Sequence, residues 1–255
     1  MNIVAIYNLD KDADKLSQTL AAVLGKTVYE ARSRLHVPGG GPSVLAVFQE
    51  IEKAENCAAN LKTNGFAAVI LRPEEIESDK ARFPAKSFEL TGESLHAESR
   101  QGQKLILSYH DIRLILCGLS ITVRTETATV KERKFSIGKA LMTSGLAMTK
   151  STTHEVRTME ENRERFLYIY SPDRQTVALR EKALNYASLG KALQPSQAAN
   201  FNRVAAELRR QCPDAVFDDR LLNRSSQAQM LGPLFNPEEH LDIAVSLLAK
   251  VLRPI

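Results

Sequence analysis

Ile3, Val4, Ala5 and Ile6 form an unbroken apolar run of strand length, and beyond it Leu16, Leu20, Val23 and Leu24 recur at helical spacing. The pattern predicts a buried strand and then an amphipathic helix, capped by Asp10 or Asp12 and stopped by Gly25. Thr27 and Glu30 stand three apart as a capping box, which predicts a second helix carrying Val28, Ala31 and Leu35 and ending before Pro38-Gly39-Gly40-Gly41-Pro42. Residues 44–48 read as a second strand. Ile51, Ala54, Ala58 and Leu61 mark a third helix ending near Gly65, and residues 67–71 a third strand. The expected order is β-α-α-β-α-β over residues 1–75.

Residues 76–85 are charged and aperiodic, which reads as a linker. Beyond it, residues 87–96, 104–108, 112–122, 165–170 and 176–180 are short β runs, and Phe201, Val204, Ala205 and Leu208 mark a helix. Residues 86–212 are expected to form a β-rich barrel or sandwich closed by that helix, with an insertion at 122–164. Residues 213–255 follow as an extension whose helix, 237–252, has Asn236 as N-cap, Pro237 at its first position and a stripe of Leu241, Ala244, Val245, Leu248 and Leu252. The fold class expected is α+β.

Leu16 and Leu20, the 27–35 helix with Glu30-Ala31, the 44–48 strand, and Ala54 and Ala58 followed by Leu61 and Gly65-Phe66 together resemble a known scaffold. It is the one shared by the C-terminal domain of the bacterial ribosomal stalk protein and the N-degron adaptor of the Clp protease. The resemblance implies a three-stranded sheet layered with three helices that holds a partner protein. Asn8 stands where the adaptor has its Asn, Leu9 replaces the adjoining Asp, and His36 lies earlier than the family's His. Further on, Phe88-Glu89-Leu90-Thr91, the 105–112 stretch ending in Asp111-Ile112, the 166–170 run and the helix through Phe201 and Leu208 resemble a bacterial pleckstrin-homology-like, or GRAM-like, domain.

Among 255 residues, 34 Lys+Arg face 30 Asp+Glu, and this mild net charge of +4 lacks the concentrated basic stripe of a nucleic-acid domain. No nucleic-acid partner is expected. The longest apolar run, around residues 114–121, is broken by Cys117, Gly118 and Ser120 and is too short for a membrane span. No signal-peptide pattern opens the chain, so a cytoplasmic location is expected. Cys57, Cys117 and Cys212 lie dozens of residues apart and match neither a disulfide framework nor a metal clamp.

Candidate chemistry is sparse. The 38–42 loop precedes a β run where a phosphate cradle needs a helix N-terminus, and His110-Asp111 are adjacent residues that would point apart in a strand, so they read as a corner. His36, His96, His154 and His240 share no metal-ligand spacing, and no nucleophile elbow is present. No catalytic residue, cofactor or metal is expected. Residues 131–150 invite a functional reading: Lys131, Arg133, Lys134 and Lys139 bracket Phe135, Leu141, Met142, Leu146 and Met148, which suits a protein groove or an anionic membrane surface. The plain alternative is a hairpin folded over its own domain. Leu241, Val245, Leu248 and Leu252 could pair with a second copy or dock within the chain. The expectation is a non-enzymatic adaptor that binds a protein partner or itself. The alternatives are a peripheral lipid-binding module and an enzyme whose site one sequence does not reveal.

Overall fold

The computed structural model describes residues 1–9, 13–135, 149–172 and 174–253, with backbone alone at 13–14, 123–135 and 149–160. The chain is α+β. Residues 1–120 and 164–255 form one compact unit, and residues 121–163 form a second.

The first unit opens as the apolar pattern predicts, with β1 (Asn2–Tyr7), α1 (Ala13–Leu24), α2 (Val28–Leu35), β2 (Ser43–Phe48), α3 (Ile51–Thr63) and β3 (Ala67–Leu71). β1 lies central and antiparallel to both neighbours in the order β2-β1-β3. Thr27 and Glu30 form the expected capping box, with Thr27 Oγ1 accepting from the Glu30 amide at 3.3 Å. Strand alternation sends Val4 and Ile6 toward α1–α3, where they pack with Leu20, Leu35 and Leu61. Ile3 and Ala5 face the other way, into a core shared with the rest of the unit. The unbroken run of residues 3–6 thus marks a strand covered on both faces.

The larger sheet runs β10-β7-β8-β9-β4-β5-β6. Its strands are β4 (Phe83–Leu90), β5 (Ser94–Ser99), β6 (Lys104–Ser108), β7 (Leu114–Phe135), β8 (Thr149–Tyr170), β9 (Val177–Arg180) and β10 (Val216–Leu221). The β4-β5-β6 meander is antiparallel, whereas β4 pairs with β9 and β10 with β7 in parallel. One face buries Ile115, Leu167, Ile169 and Leu179 against α4 (Gln197–Gln211), whose Phe201, Val204 and Leu208 are inward. The other buries Leu114, Leu116, Phe166 and Tyr168 against α5 (Arg224–Leu231) and α6 (Pro237–Leu252). Gly118 admits the close approach of Phe166 and Leu221, since a Cβ there would lie 2.8 Å from that of Leu221.

α6 joins the two sheets. Ala244, Val245, Leu247 and Leu248 have no exposed surface and share one core with Ile3, Ala5, Val44 and Leu71 on one side and Leu114, Leu116 and Tyr168 on the other. Of the two roles open to the stripe, pairing with a second copy or docking within the chain, its residues Ala244, Val245 and Leu248 take the second; Leu241 and Leu252, partly buried, pack against the same core.

The segment read as a linker is tied down rather than free. It makes a short 3-10 turn, Asp79–Ala81, and then β4, and Arg82 between them is among the largest fully buried side chains. The Arg82 guanidinium bonds Asp242 at 2.8 Å and the Glu77 carbonyl at 2.5 Å and lies 4.1 Å over the Tyr168 ring. Tyr168 donates to Asp79 at 2.9 Å, Arg180 pairs with the same carboxylate, and the Glu77 amide donates to Ser246 on α6.

The 38–42 loop is also held. Arg220 of β10, paired with Asp218, aims Nη1 at the carbonyls of Gly39 (2.8 Å) and Gly41. Gly39 has φ +62°, and a Cβ there would meet the Arg220 side chain at 2.8 Å. Carbonyl oxygens converge on a cation here, the reverse polarity of a phosphate cradle.

Residues 121–163 hold the distal lengths of β7 and β8. Among the described residues no helix is long and apolar enough to cross a membrane.

Candidate functional site

β6 ends the large sheet, so among the described residues one side of its backbone meets no further strand. The strands behind it are phased by burial. A register shift between Ala85 and Ser87 lets Phe83, Ala85 and Phe88 all turn inward, while Leu95 and Ala97 of β5 and Leu107 of β6 face the same core. The opposite face carries two cross-strand rows. Glu89 stands opposite His96, and His96 opposite Ile106; Ser87 stands opposite Glu98, and Glu98 opposite Lys104. The second row sets unlike charges side by side, the favourable pairing for adjacent strands.

These rows line a hollow of about 420 Å³, walled on one side by Ser188 from the Ala187–Ala192 turn. A neighbouring hollow of about 270 Å³ shares Phe88 and Ser188 and reaches Arg203 and Glu207 of α4. Ile106 is 57% exposed at the edge of the first hollow, an apolar side chain where a strand covered on one face would carry a polar one. The hairpin is braced by Tyr109, whose hydroxyl donates to the Thr91 carbonyl at 3.1 Å and whose amide donates to Glu93. Burial, with Cys212 and Glu207 nearby, pushes the Tyr109 phenol up to about 12 and keeps it a donor. His110 and Asp111 lie in the adjoining 3-10 turn, the corner expected for them.

His96 Nε2 lies 2.9 Å from Ser94 Oγ, itself 3.0 Å from Thr91 Oγ1. Among the described residues no carboxylate bonds His96 Nδ1, so the pair lacks the third group that orients a catalytic base. Among the described residues, no cluster of three or more His, Cys, Asp or Glu could hold a metal ion. Burial pushes the thiols of Cys117 and Cys212 up to about 11, far from the thiolate a nucleophile needs.

The other sequence candidates fall elsewhere. Lys131, Arg133, Lys134 and Phe135 belong to β7, in the length where the backbone alone is described, and Lys139, Leu141, Met142, Leu146 and Met148 lie outside the described residues. His36 is engaged with its own helix, Nδ1 lying 2.9 Å from the Arg32 carbonyl. Glu89, His96, Lys104 and Ile106 were not singled out by motif. The available signal was the continuous apolar run of residues 105–107, one residue more than a one-sided strand requires.

No protein-family model, curated protein or solved structure matches this chain.

Proposed function

We propose that this chain is a non-enzymatic interaction protein that takes up an extended segment of a protein partner along β6. The observation that carries the reading is the terminal position of β6 together with exposed Ile106 beside the 420 Å³ groove. An added strand would satisfy the free backbone groups of β6, and its alternate side chains would meet the Ile106 and Lys104 rows. In this reading the β-rich part is a pleckstrin-homology-like module closed by α4, and residues 1–75 are a partner-holding scaffold of the stalk-protein and Clp-adaptor type. The antiparallel β4-β5-β6 meander and the β-α-α-β-α-β order support it.

The test is affinity capture with the full chain and its Ile106→Asp variant, with hydrogen exchange of β6 in the recovered complex. A partner lost on substitution, with β6 amides slowed in the wild-type complex, supports strand addition. A partner held equally by both proteins, with β6 exchange unchanged, rejects it.

A further inference from the structure

We propose that the extended segment taken up along β6 is β6 of a second copy of this chain, an inference that rests on strand addition at this edge. Two chains would then join their large sheets across a two-fold axis at Ile106. A closed dimer sets one surface against itself, and a two-fold perpendicular to the sheet makes the two strands antiparallel.

The backbone of β6 has the phase this pairing needs. The Ser99 amide donates to the Gln103 carbonyl and the Tyr109 amide to the Glu93 carbonyl, one bond at each end of the β5-β6 ladder. Bonded pairs alternate in an antiparallel ladder, so Leu105 and Leu107 direct their N–H and C=O groups to Ala97 and Leu95. Those of Lys104, Ile106 and Ser108 point away from β5. Centring the pair on Ile106 sets Ile106 opposite its own copy and Lys104 opposite Ser108 of the second copy. Every outward N–H and C=O of the strand then meets one pointing back. A slip of one residue would set outward groups against inward ones, and a slip of two would leave an end residue unpaired.

The side chains fit the same register. Leu105-Ile106-Leu107 reads alike in both directions about Ile106. On the core side Leu105 meets Leu107 of the second copy, and on the other face the two Ile106 side chains meet, each 57% exposed in the single chain. Lys104 is the one charged residue of β6, stands beside Glu98 of its own sheet, and meets the uncharged Ser108. No like charges are opposed, whereas a lysine in the middle of the strand would have met its own copy. Five residues a side make a small interface, of the weak class that forms and dissociates with concentration.

Sedimentation equilibrium of the full chain over a range of concentrations should show a reversible monomer-dimer equilibrium, lost in Ile106→Asp. Register is read by cysteine substitution and oxidation with diamide, against a wild-type background set by the half-buried Cys57. Bonded antiparallel pairs place Cα atoms about 5.5 Å apart, within disulfide reach. Ile106→Cys should therefore link to itself. Lys104→Cys and Ser108→Cys should each stay single alone and link when mixed. A dimer that persists in Ile106→Asp, a link between two Lys104→Cys chains, or no crossed link above background overturns the proposal. If Ile106→Asp does not fold, the crossed link decides. A chain that is monomeric at every concentration also overturns the second copy as occupant. Affinity capture then separates the two readings: a partner of different sequence lost on Ile106→Asp leaves strand addition standing, and a partner held equally by both proteins removes it as well.

Discussion

Arg82 and Asp242 are 160 residues apart in sequence, yet Nη1 of the first donates to Oδ1 of the second at 2.8 Å, and the arginine side chain has no exposed surface. The contact pins the segment between the two sheets to the start of α6. Removing one partner of a buried pair costs about 3–5 kcal/mol; Asp242 is partly exposed, which places Asp242→Ala lower, at about 2 kcal/mol. Urea denaturation of the full chain checks this. A loss below about 0.5 kcal/mol, the range of an ordinary surface change, would mean the pair does not hold the segment.

Acid should loosen the same network. Burial raises the pKa of Asp79, but the hydrogen bond and charge of Arg180, with Tyr168 and Arg82, outweigh it and hold the carboxyl below its usual 3.8. A folded-state value below the unfolded one gives stability that is complete above the unfolded pKa and is lost as pH falls through the folded one. Stability should therefore drop below about pH 4. Asp79→Asn should flatten that acid limb, as measured by denaturation at a series of pH values. An acid limb of unchanged steepness would assign it to other carboxylates.

Leu248 lies between the two sheets with no exposed surface. Leu248→Ala should cost about 2–5 kcal/mol and leave the mass by light scattering unchanged. A changed mass with little loss of stability would move the role of this stripe from the interior to an interface.

Gly39 and Arg220 should show coupling. Gly39→Ala forces a side chain into a left-handed backbone and against the Arg220 side chain, and should cost about 1–2 kcal/mol. In an Arg220→Ala background the collision disappears and only the backbone term remains, so a double-mutant cycle should give a non-zero interaction energy. Strict additivity would show that the arginine does not occupy the loop in solution.

Much of the first seventy residues was legible because their signals are local. Thr27 and Glu30 announce α2, and Asn236 and Pro237 announce α6, through contacts three residues or fewer apart. Misreadings gather where a distant residue decides. Residues 76–85 look like a linker because Glu77, Asp79 and Arg82 carry charge, and nothing nearby reveals that Ser246, Tyr168 and Asp242 satisfy them. β10 and α5 escaped notice for a related reason. β10 alternates weakly and is completed by parallel pairing with β7, while α5 is fastened by Gln227, whose amide donates to the carbonyls of Leu119 and Leu221. The groove was invisible as a motif because its rows are assembled across three strands. Ile106 was the one local clue.

The position of α6 also sets a problem in time. Ile3, Ala5, Val44 and Leu71 can be placed in a sheet as soon as the first seventy residues are made, but the helix that covers that face is made more than 160 residues later. During synthesis the ribosome therefore displays an open apolar sheet for the roughly ten seconds or more that such a length takes to translate. Until α6 is made, the inward face of the first sheet has no helix of its own chain from the 237–252 stretch to cover it, so the first sheet is completed last.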